Sequence, residues 1–181
     1  MREVSTHYAL VADGFSARVE MISAEQWAVP TPHEDWTVRE LVAHVISTQR
    51  RVLATLGGPA PEVDESGDLR EQWRGASGAM SEALNDPERA TRSVRGLLGR
   101  QPFESLVGEL ICADTLVHTW ELSRAIGHDE TLDPAAMAAS TERLTPIDDV
   151  VRRPGGFVTK IPAPDGADQQ TAFLLFCGRA L

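Results

Sequence analysis

Cysteine is scarce in this sequence: Cys112 and Cys177 are the two thiols in 181 residues. That is no disulfide framework, and a reducing cytoplasm is the expected compartment. Basic charge is scarce as well. Seventeen Lys and Arg against 27 Asp and Glu leave a formal net charge of −10. This argues against a nucleic-acid binder, because phosphate contacts need clustered cations. It also argues against attachment to anionic lipid by simple charge attraction; the excess acid reads as a solubilising surface. No uninterrupted apolar run approaches the ~20 residues of a membrane-spanning helix. The opening "MREVSTHYALVADGF" carries early charge but no apolar core of signal-peptide type. Internal repeats and low-complexity tracts are absent, as are a phosphate-cradling glycine loop and a Gly-x-Ser-x-Gly elbow. The expectation is one domain over residues 1–181, long enough to enclose a single core.

What the sequence does have is helical periodicity. Val4, Tyr8, Val11, Phe15, Val19 and Ile22 recur at three- and four-residue steps, which predicts an amphipathic helix over 3–23. "AVPTPHEDWT" breaks it with two prolines. Thr37 with Glu40 three residues on forms a capping box and opens a second helix, 38–56, stopped by Gly57-Gly58. A third, weakly apolar helix is expected over 69–84 and a fourth over 103–126, with Gly127 as its stop. Residues 86–102 read as irregular, with a short extended piece in "TRSVRG". A short helix over 134–144, a long loop through "RRPGGFVTKIPAPDG" and a last helix over 167–176 complete the chain. Four substantial helices and almost no strand predict an all-α fold, a four-helix bundle with short extra helices.

One feature of the fourth helix conflicts with simple core packing. Its apolar stripe runs Val107, Leu110, Ile111, Asp114, Val117, His118, so an aspartate and a histidine sit where the core should be. A buried carboxylate is costly unless paired or bound to a cation. An Asp and a His one turn apart can grip one metal from the same side, and His44, at the edge of the second helix's buried stripe, can supply a third ligand. The same spacing equally fits a plain ion pair or hydrogen bond between Asp114 and His118, with His44 a hydrogen-bonded core residue. Spacing alone leaves both readings open.

"PTPHEDWTVRELVAHV" at 30–45, "ADTLVHTWELSRAIGHDETLDP" at 113–134 and the ending "FLLFCGR" resemble the mycothiol-dependent maleylpyruvate isomerase N-terminal domain. The likeness is strongest to its short stand-alone relatives in the DinB/YfiT-like superfamily, and it spans nearly the whole chain. It implies a DinB/YfiT-like four-helix bundle with a divalent metal, usually zinc, at one end. Carried over by position, the ligands implied are His44, Asp114 and His118. Asp114 stands in place of a glutamate used by the isomerase, and its shorter arm asks the helices to approach more closely. The isomerase carries an additional C-terminal domain for which 181 residues leave no room, so isomerisation of maleylpyruvate itself is not expected.

Other residues receive plainer readings. His33 stands where many relatives carry cysteine and is left outside the site. Cys112 lies about 200° round the helix from Asp114 and, like Cys177, reads as a small hydrophobe. Trp36 and Trp120 read as packing residues. Glu121 can orient a ligand, but pairing with Arg124 is preferred. His7 and His128 read as surface residues, and "GPAPEVDESGD" as a solvated loop with a lid conceivable. Three protein ligands leave a metal position open, as catalytic zinc sites do, and thiols or water ionise there. The expectation is a metal-dependent transferase or isomerase that uses a low-molecular-weight thiol, mycothiol by the resemblance, against a small electrophile. The alternatives are a metal-dependent hydrolase, a non-catalytic metal- or ligand-binding bundle, and a metal-free bundle braced by Asp114–His118. A homodimer is compatible with a small bundle, though nothing in the sequence locates an interface.

Overall fold

A computed structural model of the chain describes residues 2–33, 36–96, 99–152 and 157–181. Parts of three expected segments, the proline-rich break (34–35), the irregular stretch (97–98) and the long loop (153–156), lie outside the described residues. Four long helices, α1 (Arg2–Met21), α2 (Val38–Ala54), α3 (Leu69–Asn85) and α6 (Cys112–Ile126), form an all-α bundle. Short helices α4 (Pro87–Ala90), α5 (Phe103–Leu106), α7 (Pro134–Leu144), α8 (Asp148–Val151) and α9 (Gln169–Phe176) surround it. Around the bundle α1 packs on α6 and α3, and α2 packs on α3 and α6. The α1 stripe is buried as its period requires, from Val4 through Tyr8, Val11, Phe15 and Val19 to Ile22. The "TRSVRG" segment supplies β1 (Ser93–Gly96), which pairs antiparallel with β2 (Gly99–Pro102).

The expected caps set the helix ends. Thr37 Oγ1 accepts from the Glu40 backbone N–H while Glu40 Oε2 accepts from the Thr37 N–H at 2.7 Å, the reciprocal bonds of a capping box. Gly127, at φ +69°, ends α6 in the left-handed conformation that a side chain resists. Asp68, Asp86, Asp133 and Asp168 cap α3, α4, α7 and α9 through their carboxylates.

The continuous helix expected over 103–126 is instead α5 and α6 joined by a π-helical turn, Val107–Ile111. The buried pair Leu106–Val107 recurs five residues later as Ile111–Cys112. A wider turn keeps both pairs on the core, and such turns are frequent at functional sites. Beyond it α6 runs through the middle of the molecule, flanked by α1, α2 and α7. Within Cys112–Ile126 only Arg124 is exposed, and Asp114 and Ala125 are half-buried. Two residues expected at the surface divide here: His128 is exposed, whereas His7 is buried, bonded by Nε2 to the Ala136 carbonyl (3.1 Å) and the Ser140 hydroxyl (3.0 Å). The α7 helix docks over that end of α1 and covers it.

Candidate metal centre

The site forms where α2 and α6 meet. A tight loop before α2 is closed by the Pro30–Thr37 bridge, with the Thr31 N–H donating to the Trp36 carbonyl at 2.8 Å. This fixes the Trp36 ring over two histidines, 4.6 Å from that of His44 and 5.9 Å from that of His118. His33 stacks on Trp36 with ring centroids 3.8 Å apart. Deeper in, Tyr8 donates to Gln49 Oε1 (3.1 Å) and Gln49 Nε2 donates to Thr115 Oγ1 (3.2 Å). This buried chain ties α1, α2 and α6 together beside the residues that face the site.

His44, Asp114 and His118 each present a potential ligand atom, and these atoms lie within 4.8 Å of one another. His118 Nε2 is 3.5 Å from Asp114 Oδ1. The edge of a tetrahedron with metal–donor bonds of about 2.1 Å is ~3.4 Å, so this pair already has the spacing of two ligands on one zinc. Tetrahedral ligation brings every pair of donors to that ~3.4 Å edge, so the pairs that lie within 4.8 Å close by at most roughly 1.4 Å. Two imidazoles and a carboxylate are an apt donor set for a divalent cation.

His118 Nδ1 donates to Glu121 at 2.6 Å, which leaves Nε2 for the site. Glu121 also accepts from Arg179 Nε at 2.6 Å. This corrects the sequence reading: Arg124 instead pairs with Glu130 on the surface and lies over the Trp120 ring, while Glu121 points inward and is fully buried. A carboxylate behind a histidine ligand orients the ring and raises its basicity. Electrostatics follow the packing. Burial pushes His118 down, but Asp114 and Glu121 together outweigh it and hold its pKa up to about 9. Burial drives His44 down to about 4. Burial raises Asp114 and Glu121, yet the neighbouring histidines and Arg179 keep both carboxyls below their usual range.

The three residues open onto a cavity of about 310 Å³. Trp36, Val52, Leu110, Ile111, Phe157 and Val158 give it apolar walls, and His33, expected outside the site, also lines it. On the other side of Trp36 and His44 lies a more polar groove that includes Ser47, Glu62 and Glu65, so "GPAPEVDESGD" runs beside the site. Cys112 and Cys177 are buried, each thiol pushed up to about 12 by that burial, as small hydrophobes should be. Sequence reasoning missed Arg179, Phe157 and Val158. Arg179 closes the "FLLFCGR" block, and an arginine after an apolar helix was its only signal.

Residues 8–123 match the mycothiol maleylpyruvate isomerase N-terminal domain. An uncharacterized protein of Mycobacterium tuberculosis, in strains CDC 1551 / Oshkosh and ATCC 25618 / H37Rv, is 29% identical over 170 residues. That alignment covers 90% of this chain and 91% of the relative. No solved structure matches the chain. The bundle is DinB-like, and the match takes in α2, α6 as far as Ser123, and all three residues of the cluster. The chain therefore belongs to the mycothiol maleylpyruvate isomerase N-terminal domain family.

Proposed function

We propose that this protein is a cytoplasmic, metal-dependent transferase or isomerase that uses a low-molecular-weight thiol of the mycothiol kind against a small electrophile. His44, Asp114 and His118 hold the cation, for which zinc is the best candidate. The observation that carries the reading is the convergence of these three side chains at the head of a cavity, with 3.5 Å between His118 Nε2 and Asp114 Oδ1. A cation with three protein ligands keeps a position open, where its charge ionises a thiol or water. The chain's own groups do the rest. Glu121 fixes the tautomer of His118, Trp36 packs against both histidines, and the apolar cavity walls flank the electrophile. In transfer, the thiol gives its proton to solvent, its sulfur pair forms an S–C bond at the electrophilic carbon, and the bond from that carbon to the leaving group breaks with its electron pair departing on that group.

The test begins with metal content by plasma mass spectrometry on untagged protein. About one equivalent is expected in the parent, and little in the His44→Ala, Asp114→Ala and His118→Ala variants. Cobalt-loaded protein should then develop a thiolate-to-cobalt absorption band on addition of a low-molecular-weight thiol. A folded parent that takes up no added zinc would overturn the reading. Metal without a thiol band would leave hydrolysis or simple metal binding as the function.

A further inference from the structure

The family match ends at residue 123, yet residues beyond it line the cavity: Phe157, Val158 and Arg179. The strap that carries Phe157 and Val158 is docked at several points. The Phe157 N–H donates to the Val151 carbonyl at 2.9 Å and the Ile161 N–H to the Leu175 carbonyl at 2.9 Å. Arg152 Nη1 donates to the Val158 carbonyl at 2.6 Å. Gly178, at φ +79°, lets Val158 lie so close that an added Cβ would stand 2.4 Å from Val158 Cγ2. Opposite the strap stand Val52 from α2 and Leu110 and Ile111 from the π-helical turn. Arg179 has its charge matched by Glu121, so it brings little net attraction for a substrate bearing several negative charges.

We propose that this cavity seats the apolar body of the electrophile, one aromatic ring or an equivalent branched chain in size, and that Phe157 and Val158 determine that specificity. The assignment rests on the proposed thiol chemistry only for the substrate's reacting head. An apolar cavity of roughly 150 Å³ holds benzene, so about 310 Å³ accommodates one ring together with its reacting head. The polar lining is confined to Thr48, His33 and Arg179 beside the three clustered residues, so the remaining walls, the Trp36 indole N–H apart, offer a heavily hydroxylated molecule no hydrogen-bonding side chain.

Three probes test the assignment: toluene, benzyl mercaptan and 2-mercaptoethanol. On zinc-loaded protein, benzyl mercaptan should bind roughly tenfold or more tighter than 2-mercaptoethanol, as burial of a ring requires. Toluene, which has no metal-binding group, should shift the methyl NMR signals of Val52 and Val158 with or without zinc. Phe157→Ala and the surface substitution Val158→Asp should each reduce the thiol preference to within about threefold. Zinc content should be unchanged in both. Equal affinity for the two thiols, toluene that shifts no cavity methyl, or a preference that survives both substitutions overturns the assignment. If toluene binds there and neither thiol does, the thiol chemistry fails while the apolar assignment stands.

Discussion

Replacing Glu121 with glutamine tests whether the cluster is built to present a ligand. The buried carboxylate accepts from His118 Nδ1 at 2.6 Å and from Arg179 Nε at 2.6 Å. A glutamine keeps the shape but has one acceptor oxygen, so either His118 or Arg179 then faces an amide N–H₂. The lost charge also leaves Arg179 without its partner. Removing the carboxylate behind a histidine ligand costs about 10- to 100-fold in metal affinity, or about 1.4–2.7 kcal/mol. Breaking a buried ion pair also destabilises the fold by about 3–5 kcal/mol, so affinity must be measured per folded molecule, by competition with a chromophoric chelator. Trp73→Phe is the control: it loses the indole bond to Ser16 and core volume in α3, which contributes no residue to the cluster. It should cost about 1–3 kcal/mol of stability and leave metal affinity within about threefold. If Glu121→Gln binds zinc as tightly as the control does, Glu121 is core bracing and does not orient His118.

Two further predictions concern the fold. Gln49→Leu leaves the Tyr8 hydroxyl and the Thr115 hydroxyl without their shared partner, for a loss of about 1–3 kcal/mol in urea unfolding. Adding Tyr8→Phe should then cost little more, and two fully additive losses would refute the chain. His7 is held below its ordinary pKa of 6.5 by burial, and by the Arg143 charge against the opposing pull of the Ala136 carbonyl, Glu3 and Asp133. Its Nδ1 is buried with no hydrogen-bond partner among the described residues. A histidine whose folded pKa is depressed favours the fold when neutral, so its contribution is complete above about pH 6.5 and is lost as pH falls toward the folded value. The parent should therefore lose more stability between pH 7.5 and 5 than His7→Gln, and equal slopes would refute this.

The long helices were legible because their signals are local: three- and four-residue apolar steps, the Thr37–Glu40 box and Gly127. Asp114 and His118 were legible because polar residues in an apolar stripe demand a partner. Local signals fail where a tertiary contact decides. Glu121 is within reach of both His118 and Arg124 along the helix, and only the inward turn of α6 against the C-terminal segment bearing Arg179 selects His118. His7 lies on α1 outside the stripe that packs within the bundle, and only the docking of α7 buries it. The π-helical turn leaves a five-residue repeat of an apolar pair, Leu106–Val107 and Ile111–Cys112, which three- and four-residue periodicity does not read. Phe157 and Val158 sit in a segment with no period, so their place in the cavity wall follows from the Phe157 N–H bond to the Val151 carbonyl, the Arg152 guanidinium bond to the Val158 carbonyl and the Ile161 N–H bond to the Leu175 carbonyl.

Under the proposed function, the two readings that the sequence left open, an ion-paired brace and a metal site, become two charge states of one cluster. Asp114 and Glu121 bring two negative charges, and Arg179 offsets one of them. Without a cation the second is met by a proton on His118, whose pKa those carboxylates hold up to about 9. A cation on Nε2 must displace that proton, because a histidine ligand is neutral at the coordinating nitrogen. His44, whose pKa is down at about 4, brings no proton to be displaced near neutral pH. Zinc uptake at pH 7.5 should therefore release about one proton, counted by calorimetry in buffers of different ionisation enthalpy. Affinity should rise about tenfold per pH unit up to about pH 9 and then level off. In His118→Ala the proton release should vanish along with most of the affinity. Tight zinc binding with no proton released at pH 7.5 would refute the exchange and show that His118 is neutral before the cation arrives.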